Sequence, residues 1–231
     1  QLIPYRGSWL DFQFDQKDFI WVLVDRNRSK KAKVYASTFL KALGYTSQDL
    51  LDYFYDRETV TIDKNGLFWR KLDFDLLKEK WATAEIKDPK TGRTLIRRGA
   101  RMTEKQIRRL EKLKIFSAQM TDEEICSKVV AEDIVDDATG EVLCEANQPL
   151  DKTLLDELSE RGVTEFDILF FDDRNVGPFF RNTLAADKTE TQDEAVMEIY
   201  RKLRPGDPAT PVQAKKYFEG LFFSRARYDL S

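Results

Sequence analysis

Histidine is absent from this 231-residue chain. Its absence removes the imidazole that a Ser-His-Asp triad needs. The two cysteines, Cys126 and Cys144, stand in no metal-ligand spacing, so a zinc site is excluded too. They read as small buried hydrophobes in a reducing cytoplasm. No apolar run approaches the roughly 20 residues of a membrane span, and no secretory leader is legible. There is no Gly-rich phosphate loop and no clustered Asp-x-Asp-x-Asp. The net charge is −3, without the basic excess of an autonomous DNA-binding domain. Both ends read as cut: Gln1-Leu-Ile-Pro starts inside a strand-like run, and Tyr228-Asp-Leu-Ser stops without a tail. The chain is expected to be a fragment of something larger.

What is present is globular. Hydrophobic residues make up 42% and aromatic residues 12%, enough for one large or two ordinary domains. The strongest pattern is a repeat at a constant offset of 48 residues. Ile86 matches Ile134, Thr91-Gly92 matches Thr139-Gly140, Leu95 matches Leu143, and Met102 matches Leu150. Ile107, Leu110 and Ile115 match Leu155, Leu158 and Val163. Each copy runs from an apolar strand into Asp-x-x-Thr-Gly, a turn whose Gly accepts positive φ. A second strand follows (Arg93 to Ile96, Glu141 to Cys144). Then comes a helix N-cap, Thr103 with Gln106 as a capping box, or Asp151. Ile107, Leu110 and Leu113 fall on one helical face, as do Leu154, Leu155 and Leu158. Gly162 suits the end of the second helix. Neither ββαβ-like unit buries its apolar face alone, so the two are expected to superpose and pack as a pseudo-symmetric pair, with Leu95, Leu143, Ile107 and Leu155 buried. Chance similarity of two ordinary hairpin-helix units is the alternative.

The flanks read differently. Leu10, Phe12 and Phe14 alternate with polar residues at strand period, and Phe19 to Val24 is a continuous apolar strand. Thr38 to Leu43 is a short helix ending at Gly44. A second helix starts at Thr46, with Leu50, Leu51, Tyr53 and Phe54 on its apolar side. Asn65-Gly66 between Val60–Ile62 and Leu67–Trp69 is a hairpin signal. Asp172 to Pro178 is a turn. Thr191 with Glu194, and Thr210 with Pro211 and Gln213, cap two last helices. Net charge is +2 over residues 1–55, −5 over 56–170 and zero over 171–231.

Four stretches carry a resemblance: Ile3-Pro-Tyr-Arg-Gly-Ser-Trp-Leu-Asp-Phe, Val24-Asp-Arg-Asn-Arg, Tyr200-Arg-Lys-Leu-Arg-Pro-Gly-Asp-Pro, and Leu221-Phe-Phe-Ser-Arg-Ala-Arg-Tyr-Asp-Leu. In this order, at both ends of the chain, they resemble the β subunit of bacterial DNA-directed RNA polymerase, in its lobe or β2 domain. The resemblance covers nearly the whole chain. It implies an α+β fold: a discontinuous lobe of residues 1–55 and 171–231, interrupted at 56–170 by a lineage-specific insertion. That insertion holds two ββαβ-like repeats, about 82–118 and 130–168, of sandwich-barrel hybrid type.

The resemblance also implies a role. The lobe would line the downstream DNA cleft and the pocket for the non-template strand. Trp9 would stack on an unpaired base, worth roughly 1–3 kcal/mol. Asp25, Arg26, Arg204 and Arg227 would line the same cleft, the arginines meeting phosphates or base edges. Partners would be DNA, the other polymerase subunits and the sigma factor, with no membrane. No cofactor is implied here, because the magnesium of the parent nucleotidyltransferase belongs to another subunit. This stretch should therefore polymerise nothing alone.

Plainer readings stand beside these. Trp9 could be core. Arg204 could simply complement a helix C-terminus. Asp25 to Lys31 could be a solvated turn. Lys105, Arg108, Arg109, Lys112 and Lys114 read as a solvated helix face. From another class, the acidic insertion could dock transcription regulators. A hydrolase using Asp172-Asp173 is the weakest reading, since adjacent aspartates in a turn are usually solvated.

Overall fold

In the computed structural model, residues 1–24, 33–89, 91–136, 138–172, 174–208 and 210–230 are described. The chain opens with β1 (Leu10–Phe14), β2 (Ile20–Val24), β3 (Lys33–Tyr35), α1 (Ala36–Ala42) and α2 (Ser47–Phe54). Then follow β4 (Arg57–Ile62), β5 (Phe68–Lys71), α3 (Phe74–Leu77), β6 (Ile86–Lys87), β7 (Thr94–Ile96) and α4 (Glu104–Lys112). Next come β8 (Ser117–Gln119), α5 (Asp122–Ile125), β9 (Ile134–Val135), β10 (Val142–Cys144), α6 (Lys152–Glu160) and β11 (Glu165–Leu169). The chain closes with α7 (Phe179–Ala186), α8 (Gln192–Leu203) and α9 (Pro211–Phe222). This is a mixed α+β fold built on small antiparallel sheets, and none of them closes into a barrel among the described residues.

Two compact units result. One joins residues 1–50 to 179–231, and the other is 51–178. Positions 55/56 and 170/171, the boundaries expected from sequence, lie inside the second unit. The chemistry there explains it: Phe170 N–H donates to the Asp56 carbonyl at 2.9 Å, and Tyr55 OH to the Gly177 carbonyl at 3.2 Å.

In the first unit β2 is the middle strand of a three-stranded sheet. Its Val22, Leu23 and Val24 are buried, as a continuous apolar run predicts. β1 is a strand as expected, but the alternation does not sort its faces. Asp11 is buried while Phe12 and Phe14 are exposed, and Phe14 rests edge-on against Phe179. α2 departs likewise: Leu50 and Leu51 are buried, Tyr53 and Phe54 exposed. The early and late segments are joined by buried polar bonds. Ser37 Oγ donates to Asp187 at 2.6 Å, Lys41 pairs with Asp187 at 3.6 Å, and Ile20 N–H reaches Thr183 Oγ1 at 2.9 Å. Phe39 packs on Phe218 and Phe222 of α9. Both expected capping boxes, at Thr191 and at Thr210, are formed.

In the second unit the repeat is borne by every element from β5 to β11. α3, β6, β7 and α4 have α5, β9, β10 and α6 as counterparts at the same offset of 48 residues. Smaller details follow it. The Trp81–Arg101 bridge corresponds to Val129–Pro149, and positive φ at Gly99 and Lys114 corresponds to Asn147 and Gly162. The repeat therefore begins at Phe68, earlier than the sequence shows. β5 and β8, themselves counterparts, pair antiparallel through Arg70 and Ala118. Those two residues are also each other's repeat partners, so a local pseudo-twofold passes through this pair.

Two apolar positions differ from expectation. Leu95 and Leu143 are only partly buried; the full burial falls one residue later, on Ile96 and Cys144. Leu113 is exposed, because α4 ends at Lys112 and Ile115 takes the core position instead. Burial pushes the Cys144 thiol up to about 11, consistent with an inert apolar filler.

Candidate nucleic-acid interface

The N-terminal motif of the first unit is a closed loop. Leu2 and Leu10 exchange backbone hydrogen bonds of 2.8 and 3.0 Å. Between them Arg6 exchanges bonds of 3.3 and 2.8 Å with Asp229, and its guanidinium reaches the Arg225 carbonyl at 3.3 Å. Gly7 has φ 134°, and a Cβ there would sit 2.5 Å from the Tyr228 ring. Only glycine fits both the backbone and the space. The first and last sequence motifs are thereby one surface. That loop buries Ser8 but turns Ile3, Tyr5 and Trp9 outward; Trp9 is 40% exposed, so its indole is no core residue.

Arg204 is the C-cap of α8, its N–H donating to Tyr200 O at 2.8 Å. The guanidinium lies 4.9 Å from the Tyr217 ring centre and 3.5 Å from Asp207. The Tyr217 hydroxyl, ahead of Asp207, holds Arg204 above its ordinary pKa. Asp207 also accepts from Tyr200 OH at 2.8 Å, which raises the Tyr200 phenol. Arg227 runs over the same helix, its Nη1 3.6 Å from where a Gly220 Cβ would stand. Tyr217 and Gly220 are one turn apart on α9, so both guanidiniums cover one helical face. A cleft of about 1040 Å³ is lined by Arg204, Arg227, Lys215, Lys216, Tyr200 and Tyr217.

The structure thus brings Arg204 and Arg227 into one cleft. Trp9 is not among its lining residues; it sits on the loop whose Arg6 and Gly7 contact 227–229. Asp25 and Arg26 lie outside the described residues. Sequence reasoning missed Tyr5, Lys216, Tyr217 and Gly220. The spacing Gln213, Lys216-Tyr217, Gly220 on a helix already capped by Thr210 was the available signal. An arginine stacked on tyrosine keeps its edge N–H groups outward, suited to phosphate or a base edge. Of the carboxylate pair, Asp172 is engaged by its own turn. Asp172 accepts from the N–H groups of Arg174, Asn175 and Val176 at 3.1, 2.7 and 2.9 Å, and Asp173 lies outside the described residues. Among the described residues no three Cys, Asp or Glu side chains stand together as metal ligands, and no helix is long and apolar enough to cross a membrane.

This geometry defines the class of site as a cationic cleft with aromatic neighbours, suited to a polyanion. No family model matches the chain. Curated relatives do. It is 44% identical to the DNA-directed RNA polymerase subunit beta of Anaeromyxobacter sp. (strain Fw109-5) over 245 aligned residues, covering 100% of this chain and 17% of the relative. Against the same subunit of Sorangium cellulosum (strain So ce56) it is 44% identical, and of Syntrophotalea carbinolica 45%, each over the whole chain and 16% of the relative. Over its full length the chain is homologous to one segment of the bacterial RNA polymerase β subunit.

Proposed function

We propose that residues 1–50 and 179–231 are the lobe of an RNA polymerase β subunit, facing downstream DNA and the non-template strand, and that 51–178 is an insertion of sandwich-barrel hybrid type. In this reading the Trp9 indole stacks on an unpaired base, while Arg204 and Arg227 meet phosphate or base edges beside it. The observation that carries it is the pairing of the two terminal motifs. Gly7 against Tyr228 fixes an exposed Trp9 loop next to the Arg227 segment, both within the matched sequence. Charge argues for a borrowed affinity. Asp207 and Glu219 stand in the same cleft as its cations. Phosphate neutralisation by so few net charges cannot hold DNA at physiological salt. The assembled enzyme must present the melted strand at high effective concentration.

In an assembled polymerase, Trp9→Ala is expected to shorten the open-complex lifetime and flatten base preference at the start site. Loss of one stacked base is worth roughly 1–3 kcal/mol, or about five- to 150-fold. The isolated 231-residue chain should bind single-stranded DNA weakly and release it by about 200 mM salt. An unchanged lifetime with unchanged preference would overturn the stacking role. Tight, salt-resistant binding by the isolated chain would overturn the borrowed affinity.

A further inference from the structure

The two repeat copies differ at one sheet edge. In the second copy, Val129 to Ala131 pair with β11: Ala131 N–H donates to Asp167 O and Leu169 N–H to Val129 O, both at 2.9 Å, around an antiparallel Val130–Ile168 bridge. The counterparts in the first copy are Trp81 to Thr83 and the edge of β8. No such pairing is formed there among the described residues. A groove of about 1110 Å³ opens instead, with Thr83 and Ala84 on one wall and Ser117, Gln119 and Thr121 on the other.

The ladder parity fixes what this edge offers. Leu72 N–H bonds Phe116 O at 2.8 Å, and Met120 N–H bonds Phe68 O at 2.9 Å. Phe116, Ala118 and Met120 therefore turn their backbone groups toward β5, and Ser117 and Gln119 turn theirs away. Neither Ser117 nor Gln119 has a backbone hydrogen-bond partner among the described residues. On the facing wall Thr83 Oγ1 accepts from Arg70 Nη1 at 2.7 Å, and its counterpart in the second copy is Ala131, which has no hydroxyl.

We propose that the outer edge of β8 receives an extended segment of a partner protein, added antiparallel as a fifth strand of the β11-β4-β5-β8 sheet. The second copy is its template. A small or β-branched residue lies opposite Met120, as Val130 lies opposite Ile168. Two positions before it, a basic residue faces Asp122, which lines the groove beside Glu123. This inference stands apart from the polymerase reading, since it uses only the second unit.

The test titrates the 231-residue chain with a synthetic peptide copying residues 127–132, Ser-Lys-Val-Val-Ala-Glu. Amide exchange at Gln119 and at Thr121, the counterpart of Leu169 whose N–H bonds Val129 O, is expected to be fast in the free chain and to slow at least about tenfold at saturation. N-methylation of the peptide alanine, whose N–H should bond Gln119 O, should weaken binding about tenfold or more. N-methylation of its second valine, the copy of Val130 whose N–H points away, should leave binding within about twofold. Equal affinity of the two methylated peptides would overturn the proposal. So would unchanged exchange on peptide addition, or amides already protected in the free chain, which would mean that residues 82–84 close the edge themselves.

Discussion

The two copies of the repeat share a skeleton and little of their surface. Their cores correspond position by position: Leu72, Leu77, Ile86, Met102, Ile107 and Leu110 in one, Met120, Ile125, Ile134, Leu150, Leu155 and Leu158 in the other. Their helices diverge outside that core. α4 exposes Lys105, Arg108, Arg109 and Lys112, and α6 presents Asp156, Glu157 and Glu160. Burial constrains a residue by volume and shape. Exposure leaves charge nearly free to change. The comparison also shows where symmetry must fail. A residue on a pseudo-twofold has itself as its only symmetric neighbour, and Arg70 and Ala118 share that place without resembling each other.

Arg70 is therefore the strongest way to break the comparison. Its guanidinium is buried between Glu58, at 3.8 Å, and Glu124. Arg70→Ala leaves Glu58 as an uncompensated buried charge and should cost about 3–5 kcal/mol in urea unfolding. Ala118→Gly, at the paired position, should cost far less. A similar loss for both would mean the site is set by sheet packing and not by charge.

Equivalent core positions sharpen the comparison. Leu110→Ala and Leu158→Ala each remove a leucine no more than 1% exposed. Each should destabilise by about 2–5 kcal/mol, measured by denaturant melts. If one costs several-fold more, the two cores are not equivalent in packing despite matching in sequence.

The smallest expected effect is a titration. Asp136 is held below the usual carboxylate range, first by the Ala138 N–H and also by Arg161 at 3.1 Å. A depressed folded pKa contributes stability above the unfolded value of about 3.9 and loses it as pH falls through the folded value. Asp136→Asn should therefore lower stability near pH 7, where the charged form contributes in full, and flatten the acid limb, so that the two proteins converge at low pH. An NMR titration of the carboxylate at or above about 3.9 would remove this account.

Much of this molecule was legible in its residues. Ile86/Ile134 and Thr91-Gly92/Thr139-Gly140 placed both hairpins, and the caps at Thr103, Asp151, Thr191 and Thr210 placed four helices. The start of the repeat was hidden. Phe68-Trp-Arg-Lys and Phe116-Ser-Ala-Gln share one residue type, and a three-residue pairing tolerates nearly any side chain on its open face. Burial within strands was the weakest inference. Period 2 gives two faces without saying which one packs, and in β1 burial follows neither: Leu10 and Asp11 are buried, while Phe12, Gln13 and Phe14 are exposed. The cleft was half visible: arginines near sequence ends can be noticed, but the Tyr217–Gly220 face that aligns Arg204 with Arg227 exists only once α8 and α9 fold together.

One pair of strands has a wider meaning. Arg57 of β4 lies opposite Leu169 of β11, where the chain leaves for the repeats and where it returns. Everything between is an excursion whose two ends stand about 5 Å apart. A chain arranged in this way can change length there with little thermodynamic consequence. Each doubling of a flexible excursion adds only about 0.6 kcal/mol of closure entropy. Length added there leaves the Phe170–Asp56 backbone bond across the gap in place, whereas loss of the first copy would uncover Phe170, which packs in that copy's core.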